Sequence, residues 1–368
     1  MALKTKFRLA VQVLTPLHIG TGHVLQQDFD YVVRDGQTLR LHEERFLEWI
    51  AEKGERFARL TQGVPPGQII GGEIRPDSPL VRYALPGAPQ NTREIRECVK
   101  DGWDRPYIPG SSLKGALRTA ILWWIWTGKR FQLSRFQLGK DPRFAARSVE
   151  QEIFGHTPHA DLLRALRLHD SYPAGKECLF LASVRCISKA ARGGIPLALE
   201  AVQPGTKFLV EGHIDETAFR PWGSWENAGF LPSEKRGRLN WENIATAARA
   251  KARARLEQDF RWAEKVGINA KPWQELLQLL EKADHGEFQG FPLQMGFGTG
   301  WLGTTLGPAL LTDPAFPSAV YERYGLGRVP RSSRKTPVQN FPASRRLARV
   351  GSVDQPLGWI WIVPKETP

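Results

Sequence analysis

Residues 7–14 read Phe-Arg-Leu-Ala-Val-Gln-Val-Leu, with apolar side chains at alternate positions, the period of a strand that buries one face. Thr15-Pro16 ends the segment, because proline has no N–H to give to a ladder. Residues 31–33 and 38–41 are two short β-rich runs around Arg34-Asp-Gly-Gln37, and the Asp-Gly pair favours a tight hairpin turn. From 43 to 60 the apolar spacing changes to three and four (Phe46, Leu47, Ile50, Phe57, Leu60), which predicts one amphipathic helix. Prolines and glycines crowd residues 63–89, a composition that breaks helices and central strands alike and predicts an extended connection.

Beyond Pro109-Gly110, Ser111 and Ser112 stand where an N-cap is wanted, and an apolar-periodic run continues through Trp126 to Gly128, predicting a helix. Trp123, Trp124 and Trp126 lie in its middle and read as core more readily than as base-stacking rings. Residues 164–169, 179–187 and 206–214 are strand candidates. The period then lengthens: Ile244, Ala248, Ala252, Leu256 and Phe260 are spaced at four along a helix over 241–266, and a shorter helix follows Pro272. A glycine-rich loop, a proline- and arginine-rich stretch and an apolar strand at 358–363 complete the chain. Strand, helix, strand, strand, helix, strand is the order of a ferredoxin-like sheet, so the expected class is α+β with long insertions. Residues 1–215 would form its N-terminal region, and 216–368 would complete the same sheet. No internal sequence repeat marks a second such unit among the insertions.

Length and composition narrow the picture. A chain of 368 residues exceeds what one core usually serves, and 41% apolar residues suffice to offset chain entropy, which excludes wholesale disorder. Lys and Arg number 51 against 38 Asp and Glu, leaving +13, a balance suited to a polyanionic partner. The excess is concentrated: residues 103–147 hold nine Lys or Arg against two Asp, and residues 301–368 hold nine against four acids. Three cysteines without a C-x-x-C pair support neither a disulfide framework nor a cysteine zinc site, and fit a reducing cytoplasm. The apolar window at 120–126 is far shorter than the roughly 20 residues of a spanning helix, and the N-terminus has no signal-peptide cleavage pattern, so no membrane is expected. The cations at 249, 251, 253 and 255 are spaced at two, which puts them on opposite flanks of a helix as solvated decoration.

Two glycine-bearing turns are the candidates for chemistry. Gly296, Gly298, Gly300 and Gly303 open a backbone whose N–H groups an anion could approach; the partial dinucleotide fingerprint there lacks a βαβ unit. Gly110-Ser-Ser-Leu-Lys-Gly115 misplaces the lysine of a nucleotide-binding phosphate loop, which leaves a helix N-terminus with two hydroxyls, Lys114 and Arg118, suited to a sugar-phosphate backbone. Together the two turns are expected to form one seat for ribose and phosphate. His156 and His159, near Asp161, lack helical spacing and a third ligand, so no metal or cofactor is expected.

Several motifs carry a resemblance: residues 15–22 (Thr-Pro-Leu-His-Ile-Gly-Thr-Gly), 107–119 (Tyr-Ile-Pro-Gly-Ser-Ser-Leu-Lys-Gly-Ala-Leu-Arg-Thr), 200–206 (Glu-Ala-Val-Gln-Pro-Gly-Thr), the glycine loop, Ser344-Arg-Arg-Leu347 and Pro356-Leu-Gly-Trp-Ile360. They span almost the whole chain and resemble the RAMP superfamily of CRISPR proteins, more narrowly the Csm-type subunit that ends the backbone filament of type III-A effectors. The resemblance implies an RRM-related fold, a place holding the 3′ part of a guide RNA that pairs with target RNA, and contacts with the backbone RAMP subunit and the small helical subunit. It implies RNA contacts at His18, Gly20, Ser111, Ser112, Lys114, Arg118, Gly296, Gly298, Thr299, Gly300, Arg345 and Arg346.

Relatives that process RNA offer an enzymatic alternative. Their backbone subunits cleave with an aspartate just after the first strand, and Asp28 and Asp30 stand in a comparable place here, although they precede a hairpin strand. An early histidine such as His18 could serve as general acid or base near neutral pH. Neither is assigned a catalytic role, and a binding subunit is the expectation.

Overall fold

The computed structural model describes residues 3–189, 196–219, 231–326 and 341–366, and most of the proline- and arginine-rich stretch falls outside them. In chain order the strands are β1 (Lys4–Val13), β2 (Gly20–Gln26), β3 (Tyr31–Arg34), β4 (Gln37–Leu41), β5 (Val81–Pro86), β6 (Glu94–Cys98), β7 (Leu166–Leu168), β8 (Leu179–Ser188), β9 (Leu197–Val202), β10 (Lys207–Asp215), β11 (Phe291–Gln294), β12 (Ser344–Val350), β13 (Val353–Pro356) and β14 (Trp359–Glu366). The α-helices are α1 (Glu43–Ala51), α2 (Gly54–Thr61), α3 (Pro66–Ile70), α4 (Gly110–Gly128), α5 (Arg147–Phe154), α6 (Trp241–Val266), α7 (Lys271–Asp284), α8 (Gly300–Thr304) and α9 (Pro308–Leu311).

The first sheet has the order β11-β14-β1-β10-β7 and is antiparallel throughout, so the last strand of the chain lies beside the first. Alternation in β1 sends Phe7, Leu9, Val11 and Val13 to one face, joined by Phe208, Val210 and Ile214 from β10. On that face α4 contributes Leu113, Leu117 and Ile121, and α6 contributes Trp241, whose ring meets Phe7 edge-on at 4.7 Å. Each such side chain, fully withdrawn from water, stabilises the fold by about 1.5–3 kcal/mol. Among the described residues, Lys6, Arg8, Ala10 and Gln12 of β1 and Lys207 and Leu209 of β10 are exposed on the opposite face.

A second sheet, β13-β12-β8-β9-β6-β2, is antiparallel except where β6 meets β9. A third, β3-β4-β5, joins α1 and α3 around a small core of its own that includes Leu39, Phe46, Ile50 and Ile70. The Asp35-Gly36 turn has φ of +48° and +73°, both left-handed, as a two-residue hairpin requires. The single helix expected over 43–60 is broken at Glu52-Lys53, which leaves Leu47 and Phe57 half exposed. The connection expected over 63–89 contains α3 and β5, because pairing with β4 holds residues 81–86 despite their proline.

Helix α6 spans 241–266; Asn240 accepts the Glu242 N–H at its start and Gly267 closes it in the left-handed region. Its cations are not all decoration. Arg249 and Arg253 face outward to Asp284, but Lys251 and Arg255 turn into the protein, where Lys251 donates to the Gly303 carbonyl at 2.7 Å. Among the described residues no helix is long and apolar enough to cross a membrane.

Candidate nucleic-acid interface

His18 follows the strand-ending Pro16. Leu17 exchanges both backbone hydrogen bonds with Val202, and this register pulls the imidazole inside the protein, to 2% exposure. Its Nδ1 lies 2.7 Å from the Glu200 carbonyl; a carbonyl only accepts, so Nδ1 carries the proton. Burial, the largest influence, lowers the imidazole pKa below its ordinary value and keeps the ring neutral. The ring is thus a buried strut, out of reach of a ribose hydroxyl. Its backbone carbonyl accepts the Phe297 N–H at 2.8 Å, which docks the glycine loop onto residue 18.

Beneath His18 lies a group that sequence reasoning missed. The Glu200 side chain is fully buried and accepts hydrogen bonds from Tyr83 Oη at 2.7 Å, the Cys98 N–H at 3.0 Å and Lys100 Nζ. Burial and the Glu200 charge push the Cys98 thiol up to about 12 and the Tyr83 hydroxyl up as well. Its signal was the lone carboxylate in the apolar run Leu-Ala-Leu-Glu-Ala-Val.

The glycine loop differs from its expected form. Gly296 has φ of +76°, and a Cβ there would lie 2.4 Å from the His18 carbonyl, so this glycine permits close backbone packing. Gly298 is likewise closed by Leu357 and Gly303 by Thr299, while Thr299 is buried and donates to the Gly296 carbonyl at 2.7 Å. Gly300 alone of the four has open space where a Cβ would stand. Gly20 is exposed but packs against the His18 ring.

Above the loop, Phe297 stands between two guanidinium groups, Arg346 at 4.9 Å and Arg96 at 5.6 Å, and meets the His18 ring edge-on at 5.8 Å. Arg96 and Arg346 are exposed on β6 and β12. Phe297 is half-buried against the core of the six-stranded sheet, so its ring serves to hold the two exposed cations, which can meet phosphates. The alternation of β12 separates the two arginines of the tail: Arg346 faces out, whereas Arg345 is 8% exposed and donates to Asp259 at 2.7 Å. Asp259 also pairs with Arg255, so Arg345 is committed to an internal ion cluster and is not an available contact.

Helix α4 begins at Gly110, with Pro109 as its N-cap in place of the expected serines. The Gly110 N–H donates to Asp170 Oδ1 at 2.8 Å, so the protein's own carboxylate occupies the position foreseen for a phosphate. Ser111 is exposed and Ser112 half-buried at this end. Lys114 and Arg118 face a cleft of 860 Å³ shared with Arg143, Arg147 and Arg164. Both are partly engaged: Lys114 donates to the Leu166 carbonyl at 2.8 Å, and Arg118 bridges Asp161 at 2.7 Å and Glu150 at 3.0 Å. Burial, the largest influence, lowers the Lys114 pKa.

Gly303 meets α4 instead at Ala116, across a small cavity lined by Lys251. Residues 114 and 116 lie about 200° apart around a helix. The two glycine-bearing turns therefore flank α4 and do not make one seat.

Asp28 and Asp30 serve a turn. Asp28 has φ of +69° and accepts from Arg93 at 2.6 Å; Asp30 accepts the Gln26 N–H at 2.7 Å. Among the described residues no group of three or more His, Cys, Asp or Glu side chains could hold a metal ion.

Residues 10–302 match the RAMP superfamily model, and the chain belongs to that family. Two curated relatives narrow the likeness. One, the "CRISPR system Cms protein Csm5" of Streptococcus thermophilus, is 26% identical over 227 residues, 56% of this chain and 63% of the relative. The other, the protein of the same description from Methanocaldococcus jannaschii, is 22% identical over 206 residues, 55% of this chain and 47% of the relative. The matched stretch is thus less than two thirds of either relative's length. Solved structures match more fully. A chain of a cryo-EM Csm–crRNA–target RNA ternary complex of a type III-A CRISPR-Cas system has a TM-score of 0.68 and 25% identity, covering 97% of this chain and 100% of its own. The crystal structure of T. onnurineus Csm5 has a TM-score of 0.64 and 25% identity, covering 95% and 99%.

Proposed function

We propose that this chain is a non-catalytic RNA-binding subunit of a type III-A CRISPR effector in the cytoplasm, holding the 3′ part of the guide RNA and supporting its maturation and complex assembly in antiviral defence. Target RNA, the backbone RAMP subunit and the small helical subunit are its proposed partners. The exposed cations Arg96 and Arg346, both held over the Phe297 ring, are the observation that carries RNA binding. The cleft at Lys114, the exposed Ser111, and the turns at Gly20 and Gly300 are proposed as secondary contacts. The likeness to a chain of a Csm–crRNA–target RNA complex supports the assignment to an effector. Strand order β14-β1-β10-β7 with α4 and α6 on one face supports reading the first sheet as ferredoxin-like and RRM-related, built jointly by regions 1–215 and 216–368. The internal commitments of His18, Asp28 and Asp30 support a binding role over cleavage.

The experiment replaces Arg96 and Arg346 by glutamine and measures filter binding of labelled guide RNA across a salt series. Removal of each phosphate-binding cation should lower the salt slope by about 0.7 for single-stranded RNA. Cys186, an exposed thiol directly opposite Arg346 in the β8–β12 ladder, supplies a footprint: bound RNA should protect it from maleimide. Unchanged affinity in the double variant, or unprotected Cys186 at saturating RNA, would remove this surface. Cleavage of the RNA, with or without divalent metal, that Asp30→Ala abolishes would replace the binding reading with a nuclease.

A further inference from the structure

We propose that the exposed face of β1, β10, β7 and the end of β14, turned away from α4 and α6, is a second surface for single-stranded RNA; this rests on reading the chain as an RNA-binding subunit. Directly opposite residues of paired strands share a face, so the register fixes the composition of this one. Lys6 lies opposite His213, and His213 opposite Arg167. Arg8 lies opposite Glu211 and Lys365, Ala10 opposite Leu209 and Val363, and Gln12 opposite Lys207 and Trp361, where the face closes because Phe288 packs on the buried Trp361 ring. Successive rows are about 6.7 Å apart, twice the strand rise.

The pattern is an aliphatic strip with Lys365 and Arg8 on one side and Lys207 on the other. Val363, Ala10 and Leu209 form the strip, and Tyr172 closes its β7 end, with its N–H on the Leu209 carbonyl at 2.9 Å. Leu209 is 37% exposed and Tyr172 56%. The six cations are Lys4, Lys6, Arg8, Arg167, Lys207 and Lys365, all exposed. Two acids share the face: Glu211 pairs with Arg8 at 2.8 Å and accepts from Tyr172 Oη at 3.2 Å, which leaves five of the cations without that pairing, and Asp215 accepts from Thr217. Partial burial first, then Lys4 and His169, lower the His213 pKa against the opposing charge of Asp215.

Charge complementarity commits the occupant to a polyanion. An aliphatic floor between cations matches ribose and base faces flanked by phosphates, and with Tyr172 as its ring it gives little sequence discrimination. A sheet face used this way holds about two or three nucleotides. It is separate from the Arg96–Phe297–Arg346 cluster, which stands on the six-stranded sheet, and from the cleft beside α4.

The test uses the full chain and a single-stranded RNA carrying 4-thiouridine. Wild-type protein should crosslink through peptides containing Leu209 or Tyr172. The variant Lys6→Gln, Arg167→Gln, Lys207→Gln, Lys365→Gln changes only exposed side chains and should keep the wild-type melting temperature. Its RNA affinity should fall by about tenfold or more, and its salt slope by about 3, four cations at roughly 0.7 each. A single Leu209→Asp substitution should weaken the same crosslinks. Unchanged affinity and slope alongside an intact response to Arg96→Gln would overturn this surface alone. Wild-type protein that binds no RNA would overturn the proposed function and this surface with it. Retained RNA binding with impaired co-assembly of effector subunits would assign the face to a protein partner and overturn the proposal.

Discussion

Glu200→Ala offers the most direct check on how the candidate interface is held. The carboxylate is fully buried, and its partner Lys100 has a side chain only 5% exposed. Removing one member of a buried ion pair strands the other charge, at about 3–5 kcal/mol. Lys100 retains a second carboxylate, Glu97 at 3.5 Å, which places that contribution at the lower end. The Tyr83 hydroxyl and the Cys98 N–H are also deprived of their acceptor, each worth about 1–3 kcal/mol when left unsatisfied. The sum is about 5–9 kcal/mol, a large part of the 5–15 kcal/mol typical of a folded domain.

Urea unfolding should show this as a lower midpoint at an unchanged slope. RNA affinity should hold where the variant stays folded, because the Glu200 main-chain carbonyl that anchors His18, and through it the glycine loop, survives the substitution. A Glu200→Leu, Lys100→Met double variant, which leaves no buried charge, should recover the roughly 3 kcal/mol of the stranded ammonium but not the cost of the unpaired Tyr83 and Cys98 donors. A cost under about 1 kcal/mol for Glu200→Ala, as expected of a solvated carboxylate, or strictly additive effects in the double variant, would refute the reasoning.

Three further outcomes follow from the same structure. Arg345→Ala should destabilise by about 3–5 kcal/mol, because it breaks the buried pair with Asp259, whereas Arg346→Ala should leave the urea midpoint in place and lower RNA affinity. Gly296→Ala should cost about 3 kcal/mol, from a left-handed backbone and a Cβ 2.4 Å from the His18 carbonyl, while Gly300→Ala, with open space around it, should cost about 1 kcal/mol in the same titration. Burial first, then Arg255, lower the Lys251 ammonium from 10.5 to about 7. Between those values the unfolded chain binds the extra proton, so this group makes stability rise from pH 7 towards pH 10, by up to about 1.4 kcal/mol per unit. Thermal melts of Lys251→Met should lack that rise, and an identical profile in both proteins would exclude Lys251 as its source.

What was legible in the residues was local. Alternation in β1, Asp35-Gly36 in its hairpin, the four-spaced apolar positions of α6 and the run ending at Gly128 each encode an element within a few residues, because backbone conformation and one-sided burial leave periodic traces. The family motifs were readable for the same reason: contiguous residues carry them. Tertiary structure decided which side chains reach solvent. Arg345 and Arg346 are neighbours with the same chemistry, and only the face each takes in β12 makes one a buried ion and the other a surface cation. His18 became a strut because Val202 and Glu200, distant in the chain, fold over it. The cations on the exposed sheet face come from β1, β7, β10 and β14, whose register no single segment contains. Periodicity is a property of one segment, whereas pairing partners and burial belong to the closed chain.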